Sequence, residues 1–167
     1  MKSDISAVTA AMIAHDQGDP ERIHHFLKVH AFARLLGQEE GLDPHTQSLL
    51  EATALVHDIG IHQAEARYGS SAGKYQEELG PAEAEALLSR LGWPQEDIAR
   101  ISYLVGHHHT YTAIDGQDYQ LLVEADFLVN LYENQASPEV QRHAYNSIFR
   151  SEAGKRLCRE LYPAAAQ

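Results

Sequence analysis

Eleven histidines stand in a chain of 167 residues that has a single cysteine, Cys158. Imidazole in such excess, with almost no sulfur beside it, points to a metal site built from nitrogen and oxygen donors. Asp126 makes the strongest case. It lies in the apolar run Leu121-Leu122-Val123-Glu124-Ala125-Asp126-Phe127-Leu128-Val129, and Tyr119, Leu122, Asp126 and Val129 recur at helical spacing, so the acid faces inward. A buried carboxylate needs a cation or hydrogen-bond donors, yet no Lys or Arg occurs from Ile101 to Gln141. A metal ion is the economical partner.

Three further groups carry compatible chemistry. His57 and Asp58 close the apolar run Ala54-Leu55-Val56, where the partial negative charge of a helix C-terminus disfavours a lone carboxylate and favours a cation between the pair. His107-His108-His109 follows the stripe Ile98, Ile101, Val105, which turns His108 to the core and leaves His107 one step round, beside Tyr103 and Leu104. His25 shares a stripe with Val29, Phe32 and Leu36, while His24 shares the adjacent one with Leu27, Ala31 and Leu35. Periodicity does not choose between those two.

The elements that must position these groups read as helices throughout. Asp19-Pro20, Asp43-Pro44, Gly80-Pro81, Trp93-Pro94 and Ser137-Pro138 each put Pro where a first helical turn tolerates it, and Gly37 or Gly41, Gly60 and Gly92 supply stops. Helices are expected near 4–15, 20–37, 44–59, 81–91, 94–109, 118–134, 138–150 and 152–162, which makes the fold all-α. Segments 60–76 and 110–117 read as loops, where substrate contacts tend to sit. With no repeat, low-complexity tract or Gly/Ser linker, residues 1–167 read as one helical bundle, its core at 20–134 and its last helices at 138–162 packed on it.

Composition removes several function classes. Thirteen basic against 24 acidic residues give a net charge of −11, which repels a nucleic-acid backbone and argues against long DNA or RNA. The lone cysteine excludes a disulfide scaffold and fits the cytoplasm, and no apolar run approaches the ~20 residues of a membrane span. The stretch from Gly69 to Lys74 is one residue short of a phosphate-binding P-loop and lacks Ser or Thr after the Lys. Small anions stay within reach if a local cation neutralises them. Arg67 and Lys74 are the only basic residues between Arg34 and Arg90, and both lie on the segment after His57-Asp58, placed to meet the charge of such an anion.

His25, then His57-Asp58 in Leu-Val-His-Asp-Ile-Gly, then Asp126 in Glu-Ala-Asp-Phe-Leu resembles the HD-domain superfamily of metal-dependent phosphohydrolases, over about residues 20–134. The spacing of His25 to Val29 is the family's, which selects His25 over His24. His107 and His108 sit where binuclear members place further histidines, whereas the His that heads the helix after the doublet is missing from Gln76–Pro81; Glu77, Glu78 or His62 is the expected substitute. The resemblance implies one or two divalent ions (Mn, Fe, Mg, Co or Ni) held by His25, His57, Asp58, His107, His108 and Asp126. It also implies hydrolysis of a small phosphoester such as a nucleotide, with Asp58 taking a proton from water. Di-iron oxygenases and non-catalytic ligand sensors of the same superfamily are the alternatives.

Overall fold

Asp4, Asp19, Asp43, Ser137 and Ser151 each accept a hydrogen bond from the backbone N–H three residues on, and Pro follows directly after three of them, so local chemistry opens five helices. The computed structural model describes residues 4–167. In chain order the helices are α1 (Ile5–His15), α2 (Pro20–Glu39), α3 (Pro44–Val56), α4 (Ile61–Tyr68), α5 (Gly73–Arg90), α6 (Gln95–Val105), α7 (Gln117–Glu133), α8 (Pro138–Ser147) and α9 (Glu152–Leu161), with a 3₁₀ turn at Pro163–Ala166. The described residues contain no strand, and the fold is all-α. No helix among them is long and apolar enough to cross a membrane.

Two expectations fail at the same place. The segment 60–76 holds a helix of its own, α4, whose start at Gly60 has no side-chain cap and therefore no start signal; burial of Ile61 and Ala64 holds it instead. Helix α5 begins at Gly73 and runs straight through Pro81, which the Gly80-Pro81 pair had suggested as a start. A proline inside a helix lacks a donor and costs about 3 kcal/mol, so tertiary packing must offset it. That packing is visible. A methyl on Gly60 would lie 2.9 Å from the Gly80 nitrogen, one on Gly80 would lie 2.7 Å from Val105 Cγ1, and one on Gly106 would lie 3.1 Å from Pro81 Cγ. The turn after α3, the middle of α5 and the end of α6 thus meet with almost no side chain between them.

The core has two parts. Val29, Leu50, Leu122, Leu128 and Leu157 bring α2, α3, α7 and α9 together. Met12, Leu55, Leu88, Ile98 and Ile101 bring α1, α3, α5 and α6 together. Helix α3 is common to both, and its C-terminal end opens on the seam between them. Each large side chain so buried contributes about 2 kcal/mol, enough to hold polar groups at the seam where they would not choose to be.

Candidate metal centre

Helix α3 ends at Val56, and the next four residues form a tight turn in which Ile59 N–H bonds Val56 O and Ile61 N–H bonds Asp58 O. In a continuing helix, adjacent side chains diverge by about 100°. The turn lets His57 and Asp58 face one place instead. His57 Nδ1 donates to Ala54 O at 2.7 Å, and His108, beyond the end of α6, donates Nδ1 to Val105 O at 2.7 Å. Both imidazoles therefore occupy carbonyls that a helix end leaves without partners, and both aim Nε2 away from their helix. His25, on α2, donates Nδ1 to Glu133 Oε1 at 2.7 Å.

The three Nε2 atoms meet two carboxylates. His25 Nε2 lies 3.2 Å from Asp58 Oδ2, 3.2 Å from Asp126 Oδ1 and 3.3 Å from His57 Nε2. His57 Nε2 lies 3.4 Å from each of the same oxygens, and His108 Nε2 lies 3.3 Å from Asp58 Oδ1. Every Nδ1–H is already committed, so imidazoles in their neutral form present lone pairs, and ionised carboxylates are acceptors only. With neither a proton on Nε2 nor an ion between them, acceptors crowd one point with no donor among them. His108 Nε2 and Asp126 Oδ1 are buried and have no hydrogen-bond partner among the described residues. Spacings of 3.2–3.4 Å are those of neighbouring donors around one ion with bonds of about 2.1 Å. The donor set fits a divalent cation, and each imidazole already has the outer hydrogen bond that metal ligands usually make.

Electrostatics of the cluster agree. Burial opposes protonation of His25, yet the Asp126 and Asp58 carboxylates beside its Nε2 push its pKa up to about 11, so that without an ion a proton takes that place. His57 is also raised, Asp58 and Asp126 outweighing its complete burial. Burial would raise both acids, but His57, His108 and His25 hold Asp58 well below the usual carboxylate range, and His57 and His25 do the same for Asp126. The acids stay ionised and call for positive charge, which protons or a metal ion can supply.

No protein-family model and no curated protein matches the chain. Among solved structures it is similar to the crystal structure of a predicted HD superfamily hydrolase from an uncultured Thermotogales bacterium, with a TM-score of 0.63 and 24% identity over 97% of this chain and 84% of the other. The chain has the HD-domain fold.

Within the HD-domain fold, His25 is buried while His24 is exposed, and two donor groups are close enough to share an ion: His25, His57 and Asp58, and Asp58, His108 and His109. Asp58 belongs to both. His107 does not join them, contrary to expectation. Its Nδ1 bonds Tyr103 O at 2.7 Å and its ring stacks on Tyr103 at 4.0 Å, because it follows the outer face of α6. His109 turns inward in its place, where burial and then His108 lower its pKa to about 4 and keep it neutral. Past the end of α6 the helical register no longer holds, so the stripe that found His108 could not find His109.

The expected substitutes for the missing histidine do not serve. Glu77 Oε2 accepts from His109 N–H and Thr110 Oγ1, Glu78 accepts from the Tyr68 hydroxyl, and His62 Nε2 faces Asp19 and Asp16 at 3.2 and 3.4 Å. Gln76 stands there instead. Its Nε2 donates to Ser71 O, which leaves Oε1 to accept from His109 Nε2–H at 3.0 Å. Arg67 and Lys74 are exposed, each over a tyrosine ring, Tyr68 at 5.7 Å and Tyr75 at 4.9 Å, and those two rings stack at 4.3 Å.

Proposed function

We propose that the protein is a cytoplasmic, metal-dependent phosphohydrolase acting on a small phosphoester, a nucleotide or related metabolite. One observation carries this reading: three Nε2 lone pairs and two carboxylates converge while each Nδ1–H is engaged elsewhere. Divalent Mn, Fe, Mg, Co or Ni, as one ion or two, when bound there supplies a Lewis acid for a phosphoryl oxygen and lowers the pKa of water. His25, His57, Asp58 and Asp126 would hold the first position, and His108 would support the Asp58 side. Asp58, more open to solvent than Asp126, takes the proton of the attacking water. Arg67 and Lys74 bind the remaining phosphate charge; their segment packs on the cluster, since a methyl on Gly73 would lie 2.9 Å from His109 Cγ.

A positive centre also answers how a protein of net charge −11 takes an anionic substrate. The second donor group, Asp58, His108 and His109, favours one alternative, a di-iron oxygenase. Dioxygen dependence separates the two. Manganese- or cobalt-loaded protein is expected to release phosphate from a panel of small phosphoesters without air, and Asp58→Asn to lose that activity. An unreacted panel, with oxygen consumed by iron-loaded protein on an organic substrate, would establish the oxygenase. Tight nucleotide binding with neither activity would establish a sensor.

A further inference from the structure

Behind His25 lies a contact for which the proposed reaction has no use. Glu133 Oε1 accepts the Nδ1–H of His25 at 2.7 Å, and Glu133 Oε2 pairs with Lys28 Nζ at 2.7 Å. His57 and His108 spend the same hydrogen on the neutral carbonyls of Ala54 and Val105. Of the three imidazoles, His25 alone is backed by an ionised acid. The arrangement is written into two helix faces. Glu133 follows Asp126 by seven residues on α7, and Lys28 follows His25 by three on α2, so each helix carries a donor and its support on one side.

We propose that Glu133, held by Lys28, is a positioning residue that sets how tightly the ion is bound, by fixing the Nδ1–H form of His25 and making its Nε2 the strongest donor of the three. The inference rests on the metal reading above. A carboxylate behind a ligating imidazole fixes its tautomer and ring orientation and increases its donor strength, and loss of such a partner typically weakens metal affinity 10- to 100-fold. A backbone carbonyl orients the ring but brings no full charge. Lys28 keeps Glu133 turned inward although the carboxylate is partly open to solvent, with 25% of its side chain exposed. A pair serving only to join α2 to α7 would affect stability slightly and leave metal binding alone.

The test titrates metal-free wild type, Glu133→Gln, Glu133→Ala and Lys28→Met with cobalt(II), followed by visible absorption and calorimetry, with circular dichroism to confirm folding. Glu133→Gln keeps an acceptor and removes the charge, so about tenfold weaker binding and a shifted cobalt band are expected. Glu133→Ala removes both and should approach a hundredfold, with Lys28→Met between wild type and Glu133→Gln. If Glu133→Ala does not fold, the near-isosteric Glu133→Gln decides alone. Binding within twofold of wild type and an unchanged cobalt spectrum in Glu133→Gln would overturn the inference while leaving the metal reading intact. A wild type that takes up no cobalt, like Asp126→Ala, would overturn both.

Discussion

His107 and His108 are neighbours in sequence with opposite surroundings, one stacked on Tyr103 and the other aimed at Asp58. His108→Ala is therefore expected to lower metal affinity by at least roughly tenfold, and His107→Ala to leave metal content unchanged and stability within about 0.5 kcal/mol, both read by elemental analysis and urea unfolding. Asp126→Ala and His57→Ala should each abolish metal uptake. They also remove one partner from a buried charged cluster, a class of change that costs about 3–5 kcal/mol. Equal metal in wild type and both variants would exclude the site.

At the scale of elements, the meeting of Gly60, Gly80 and Gly106 brings the His57-Asp58 turn up to the end of α6. A methyl at Gly60 would strike backbone atoms of Gly80 at 2.9 and 3.0 Å, and backbone cannot turn aside. Gly60→Ala should cost about 1–3 kcal/mol and weaken metal binding as well, because the strain falls between Asp58 and His108. Urea unfolding without metal and a cobalt titration separate the two effects. A second joint ties α1 to α5: His15 lies 3.0 Å from Asp16 and 3.1 Å from Glu83. Asp16 and then Glu83 outweigh burial and push its pKa from 6.5 to about 9. Protonated His15 therefore contributes fully below about pH 6.5 and loses its contribution as pH rises through 9. Since His15 is partly solvated, roughly 1–2 kcal/mol is expected, so His15→Ala should lower the melting temperature at pH 6 and hardly at pH 10.

For the whole molecule, the site lies at the seam of two core regions that share α3. An ion there ties α2, α3 and α7 together and binds only the folded chain. By mass action, metal at a hundred times its dissociation constant adds about 2.7 kcal/mol, which in a domain of this size raises the melting temperature by roughly 5–10 °C. Chelator should reverse that shift in wild type and have no effect on Asp126→Ala, as scanning calorimetry can show.

The helices with caps, prolines and apolar stripes were legible in the sequence, because those signals act within a turn or two: Asp43-Pro44 opens α3, and Ile98, Ile101, Val105 and His108 are all buried as their spacing demands. The inward acid at Asp126 was legible for the same reason. Helix α4 and the passage of α5 through Pro81 were not, since burial of Ile61 and Ala64 holds the first, and packing against Gly60 and Gly106, distant in sequence from Pro81, holds the second. The choice of His109 over His107, the engagement of Glu77, and the Glu133–Lys28 pair behind His25 were decided by tertiary structure alone. They depend on where side chains turn once a helix has ended, or on which face of a second helix stands opposite, and no local periodicity records either.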